Sequence, residues 1–207
     1  MIELFRQYFG QCPLVAIIRG VTPNEAEAIG QAVYDAGIRI IEVPLNSSDP
    51  IDSIRRLAAK FGDSMLVGGG TVLEPGKVGD IKTAGGRLIV APNTNVEVIE
   101  ETVAAGLVSC PGYFTPSDAF DALEAGATAL KLFPAEGASP AVLKAQRAVI
   151  PKDVPILAVG GVKPETMRPW LDAGADGFGL GGGLYQPGQS AAETAEKACA
   201  YVAALKP

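Results

Sequence analysis

The chain has 207 residues, 48% hydrophobic and 19% charged, with a formal net charge of −6 and no histidine. That length and apolar content can bury one substantial core, so residues 1–207 are expected to form a single domain. The acidic balance without a basic run argues against nucleic acid, no apolar window reaches the roughly 18 residues of a membrane span, and Ser–His and Cys–His nucleophiles are excluded.

The opening segment Met1–Arg6 mixes acidic and basic residues and has no signal-type apolar stretch, so the expectation is a soluble, cytoplasmic protein. A helix is expected over Glu3–Phe9. Eight short apolar runs follow as strands: Leu14–Ile18, Ile40–Pro44, Met65–Gly69, Arg87–Ala91, Leu107–Cys110, Thr128–Phe133, Ile156–Gly160 and Gly177–Gly181. Their near-continuous apolar character suits parallel strands buried on both faces. An amphipathic stretch follows each one. Thr22-Pro23-Asn24-Glu25 and Thr94-Asn95-Val96-Glu97 read as capping boxes, and Asp49-Pro50, Thr115-Pro116 and Ser139-Pro140 place a cap before a first-turn proline. Helix ends are marked by Ala36-Gly37, Ala84-Gly85, Ala105-Gly106, Ala125-Gly126 and Ala173-Gly174. Eight such units predict an α/β fold, a (β/α)8 TIM barrel with an extra N-terminal helix. An open doubly wound sheet is the alternative. The barrel is preferred because the turns after the strands carry all the unusual residues, as a single rim requires. The three cysteines, Cys12, Cys110 and Cys199, form no CxxC pair and read as small hydrophobes in a reducing compartment.

The rim so defined collects Arg19, Glu42, Asn46, Thr71, Pro92, Lys131, Phe133, Gly160, Gly161, Gly181 and Gly182. Lys131 interrupts the apolar run Ala129–Pro134. Burial favours its neutral amine, a nucleophile toward carbonyl carbon that forms Schiff bases; a structural, ion-paired lysine is the competing reading. Glu42 interrupts Ile40–Pro44 in the same way. It reads as a proton carrier beside that lysine, or as its structural ion-pair partner. The glycine turns after the last two strands suit a phosphate, because backbone N–H groups can approach it only where no side chain intervenes.

Together the segments Ala16–Gly20, Glu42–Ser47, Gly68–Leu73, Ala91-Pro92-Asn93, Leu130–Ala135 and Ala158–Val162 resemble the 2-keto-3-deoxy-6-phospho-sugar-acid aldolases. These are class I lyases of the (β/α)8 fold, usually homotrimers, and the likeness covers nearly the whole chain. The resemblance implies that Arg19, helped by the Thr71 loop, holds the substrate carboxylate and that Lys131 forms an iminium at C2. It further implies that Glu42 takes the C4 hydroxyl proton and that Phe133 and Pro92 wall the enamine. The implied ligand is a small phosphorylated keto sugar acid, cleaved to pyruvate and glyceraldehyde 3-phosphate. No metal or other cofactor is implied, since the iminium is the electron sink. Within the family, Asn46 stands where the gluconate branch has arginine and Val159 where it has threonine, a pattern resembling the 6-phosphogalactonate branch. Gly182 stands where family members often have serine, which removes one expected phosphate contact. Another phosphate-binding barrel enzyme, a metal-dependent aldolase and a non-enzymatic phosphate-binding module are the competing classes.

Overall fold

A helix precedes eight strand–helix units in the computed structural model, which describes residues 1–206. After α1 (Ile2–Gln11) come β1 (Leu14–Ile17) with α2 (Pro23–Asp35), β2 (Ile40–Pro44) with α3 (Pro50–Phe61), β3 (Leu66–Gly70) with α4 (Gly76–Thr83), and β4 (Leu88–Val90) with α5 (Val96–Ala104). The second half runs β5 (Val108–Cys110) and β6 (Gly112–Tyr113) with α6 (Pro116–Glu124), then β7 (Leu130–Leu132) with α7 (Pro140–Arg147). It ends with β8 (Ile156–Val159) and α8 (Met167–Asp172), then β9 (Gly177–Leu180) and α9 (Ala191–Ala204).

The local signals act as their chemistry demands. Thr115 and Ser190 make reciprocal capping boxes with Asp118 and Glu193, and the Glu25 carboxylate accepts from the Thr22 N–H at 3.1 Å. Asp49 and Ser139 accept from the N–H groups of Asp52 and Val142 ahead of first-turn prolines. The five Ala-Gly stops place Gly37, Gly85, Gly106, Gly126 and Gly174 at φ between 75° and 105°, the left-handed residue that ends each helix. One start signal is corrected. Asn95, not Thr94, caps α5 by accepting from the Glu97 N–H, while the Thr94 hydroxyl donates to the Gly112 carbonyl at 2.8 Å and ties two strand ends together.

All strand pairs are parallel, in the order β5-β4-β3-β2-β1-β9-β8-β7-β6. The two ends of that order are consecutive in the chain, separated only by Pro111, which has no N–H to give to a ladder. β5 pairs with β4 and β6 with β7, so the nine segments make eight staves and the barrel closes. The carbonyls of Ser109 and Pro111 accept from the N–H groups of Ala129 and Lys131 at 3.2 and 2.9 Å and complete the seam.

Alternate residues of each strand point inward. Val15, Ile17, Ile40, Leu66, Leu88, Val90, Val108, Cys110, Leu157 and Val159 form an inner core distinct from the layer between strands and helices. Phe5 of α1 joins this inner core at 1% exposure and stacks on Phe9, with ring centroids 5.2 Å apart. The extra helix therefore closes the N-terminal end of the barrel, opposite the rim. No helix among the described residues is long and apolar enough to cross a membrane. Phe5→Ala is expected to lower unfolding stability by about 3–5 kcal/mol in urea titrations. A loss below about 1 kcal/mol would mean that Phe5 does not seal the barrel floor.

Candidate active site

β2 and β7 each carry one charged side chain on an otherwise apolar, fully buried strand. Glu42 is 1% exposed and Lys131 6%. Both point into the inner core, because the inward positions of their neighbours leave space. On β3 those positions are Gly68 and Gly70, and a Cβ on Gly70 would lie 1.5 Å from Glu42 Oε2. Glycine at 70 is thus the steric condition for the carboxylate. On β9, Gly179 makes room for apolar neighbours instead, since a Cβ there would lie 2.7 Å from Val159 Cγ2.

The two charges do not form a closed pair. No ion pair within 4.0 Å joins Glu42 to Lys131, and Glu42 Oε2 has no hydrogen-bond partner among the described residues. The two groups therefore act on each other through their fields and not as a contact ion pair. Burial pushes the Glu42 carboxyl up to about 7, and the positive fields of Lys131 and Arg19 only partly oppose this. Burial likewise lowers the Lys131 pKa from its ordinary value, against the fields of Glu42 and Cys110, with Arg19 adding to the depression. Cys110 lies in the same chamber and stays a neutral thiol, because burial pushes its pKa up to about 12.

Lys131 sits at the neck between this chamber and an open cleft of about 570 Å³; Ile17, Val159 and Gly179 line both spaces. Its Nζ lies 4.6 Å from the Phe133 ring centroid, a cation–π contact when the amine is charged. The cleft also takes in Arg19, Gly160, Gly161, Gly181 and Gly182, as the sequence predicts. Gly160 and Gly161 have φ of 113° and 64°, turning the chain sharply at the end of β8. Asn46 and Thr71 do not line the cleft. Their side-chain oxygens instead accept from Arg19 Nη1, and the Thr71 bond is 3.4 Å long. Thr71 has φ 54°, a strained conformation for a β-branched residue that holds its hydroxyl at the rim. Pro92 is half-buried and does not border the cleft; its carbonyl packs against Gly112, where a Cβ would meet Pro92 O at 2.3 Å.

Further side chains of the cleft escaped the sequence reading, among them Glu136, Lys163, Tyr185 and Gln186. Glu136 and Lys163 lie within two or three residues of predicted ones, Phe133 and Gly161, so adjacency was the available signal. The Glu136 side chain covers the glycine turn, its Oε2 being 2.5 Å from where a Cβ on Gly160 would sit. Among the described residues no cluster of three His, Cys, Asp or Glu side chains could hold a metal ion.

The fold and site define a (β/α)8 barrel with a buried amine and carboxylate beneath a glycine-lined cleft. The chain belongs to the KDPG and KHG aldolase family, whose model matches residues 6–196. It is 48% identical over 200 residues to the 2-dehydro-3-deoxy-6-phosphogalactonate aldolase of Escherichia coli K12, covering 97% of this chain and 98% of that protein. It is 43% identical over 192 residues to a probable 2-dehydro-3-deoxy-6-phosphogalactonate aldolase of Rhizobium meliloti, covering 93% and 91%. A solved structure described as native KDPGal superposes with a TM-score of 0.93 at 48% identity, covering 95% of both chains.

Because the folded pKa of Glu42, about 7, lies above its ordinary value of 4.5, protonation favours the folded chain. This contribution is full below pH 4.5 and is lost as pH rises through 7. Urea unfolding should therefore show wild-type stability falling between pH 5 and 8 by up to about 3 kcal/mol more than in Glu42→Gln, which cannot ionise. Parallel pH profiles for the two proteins would show that Glu42 does not titrate in this range.

Proposed function

We propose that the chain is a class I aldolase that cleaves 2-dehydro-3-deoxy-6-phosphogalactonate to pyruvate and glyceraldehyde 3-phosphate. The observation that carries this reading is Lys131, a buried amine of lowered pKa with no ion-pair partner within 4.0 Å among the described residues, facing a carboxylate across an apolar chamber. Burial shifts such a group toward its free amine, the form that attacks a carbonyl carbon.

In this reading Arg19 holds the substrate carboxylate, steadied by Asn46 and Thr71. Lys131 Nζ adds to C2, and loss of the C2 oxygen as water leaves an iminium. Glu42 then removes the C4 hydroxyl proton. The C3–C4 bond breaks, C4 becomes the aldehyde of glyceraldehyde 3-phosphate, and the bonding electrons flow through C3 to the iminium nitrogen as an enamine. Protonation at C3 and hydrolysis return pyruvate and free Lys131. A carboxyl with a pKa of about 7 suits both halves of this cycle, since it can accept a proton and give it back near neutral pH. Phe133 covers the amine and limits water around the enamine. The turns at Gly160-Gly161 and Gly181-Gly182 would receive the phosphate through backbone N–H groups. Family resemblance supports a cytoplasmic homotrimer, and the exposed apolar residues Leu73, Val96, Phe114 and Phe120 would suit such an assembly.

Borohydride reduction in the presence of pyruvate is expected to add a pyruvate-derived mass to the peptide containing Lys131, and to add none in Lys131→Met. Labelling at Lys163, the other lysine of the cleft, would overturn the assignment.

Substrate choice rests on Val159, which is 5% exposed at the neck beside Lys131 and offers no hydrogen bond to a C4 hydroxyl. Val159→Thr is expected to shift the ratio of kcat/KM values toward the gluconate epimer by roughly fivefold, the worth of one neutral hydrogen bond of about 1 kcal/mol. A wild-type enzyme that already prefers the gluconate epimer would assign the chain to the other branch of the family.

A further inference from the structure

The cleft holds its two glycine turns without any side chain of their own. Gly182 occupies open space, since a Cβ there would meet nothing within 4 Å, so sterics do not demand glycine at that position. Gly183 is different. A Cβ on it would lie 2.3 Å from the Oη of Tyr201, a residue of α9. The same hydroxyl donates to the carbonyl of Val162 at 3.0 Å. Val162 directly follows Gly160-Gly161 at the end of β8, and Gly183 directly follows Gly181-Gly182 at the end of β9. One phenol, 2% exposed, thus bonds one turn and fills the space a side chain on the other would need. Burial, reinforced by the charge of Glu165, keeps the phenol pKa above its ordinary value, so the hydroxyl remains a donor.

We propose that Tyr201 is a positioning residue that sets the distance between the two glycine turns, so that backbone N–H groups from both converge on the substrate phosphate. This rests on the aldolase reading above and deepens it. Tyr201 touches neither the substrate nor Lys131. It replaces, from the far side of the loop, the order that a side chain at 182 would otherwise supply. It also obliges residue 183 to be glycine. The effect is specific to phosphate, because the carboxylate and carbonyl of the substrate are handled at Arg19, after β1, and Lys131, on β7.

Tyr201→Phe removes the hydroxyl and keeps the ring. In the full-length enzyme its KM for 2-dehydro-3-deoxy-6-phosphogalactonate is expected to rise about five- to tenfold, with kcat within about twofold of wild type. Inhibition by inorganic phosphate should weaken by a similar factor, and borohydride trapping of pyruvate at Lys131 should be unchanged. An unchanged KM and an unchanged phosphate inhibition constant would overturn the proposal and leave Tyr201 as a packing residue. Gly183→Ala provides an independent arm if Tyr201→Phe folds poorly. It should raise the same KM, and adding Tyr201→Phe should recover part of that loss by removing the clash. Strictly additive effects in the double variant would also overturn the proposal. Failure of wild type to trap pyruvate would instead count against the aldolase reading itself, and the two failures are therefore distinct.

Discussion

Burying an amine and a carboxylate in one apolar chamber, near each other but outside ion-pair distance, is the constraint on which the rest of the structure turns. Desolvation of such groups costs several kcal/mol each in their charged forms, and a close pair recovers part of that. Here the recovery is incomplete. Glu42 moves up to about 7 and Lys131 moves down from its ordinary value, so both are drawn toward neutrality together. The barrel tolerates this because its ladder hydrogen bonds hold the two strands independently of the charges. The surrounding inner core of Val15, Ile40, Leu66, Leu88, Val108 and Leu157, closed beneath by Phe5, supplies apolar burial that offsets the cost.

Glycine placement shows how backbone sterics serve that chamber. Gly70 exists because the Glu42 carboxylate fills the volume its side chain would take, and Gly179 because Val159 and Ile17 fill the corresponding space on β9. Neither glycine is needed for a turn. Gly160 and Gly161, by contrast, have positive φ and shape the cleft through the path of the chain. The same residue type therefore makes room for a carboxylate inside the barrel and exposes backbone at its mouth.

Charge distribution fits an anionic ligand despite the net charge of −6. Arg19, Lys131 and Lys163 border the cleft, and Glu136 is the acidic residue among its lining. Glu136 leans on the Gly160-Gly161 turn, so the mouth carries this carboxylate together with the cationic side chains of Arg19, Lys131 and Lys163. Local arrangement, rather than overall charge, governs attraction at the mouth.

The eight strand–helix units, the Ala-Gly stops, the proline-flanked caps and the two charged residues inside apolar strands were legible in the chain alone. Each is a local signal, since hydrophobic period, capping and turn chemistry depend on residues within a few positions of one another. Lys131 and Glu42 stood out because a charge in a buried strand contradicts its surroundings. Thr94 was misread because two adjacent residues both suited a cap, and a contact with Gly112, eighteen residues on, decided between them. The ladder segment Gly112–Tyr113, beyond the strand expected at Leu107–Cys110, was not legible, because Pro111 between them has no N–H and the pairing of β6 with β7 appears only once the barrel closes. Pro92 does not border the cleft, and the partners of Arg19 come from residues 27 and 52 positions later. Whether Glu42 and Lys131 touch, why residue 70 lacks a side chain, and how Tyr201 reaches residues 162 and 183 are likewise distances across the barrel. Tertiary structure alone decided them, because closing the barrel brings together segments that no local pattern relates.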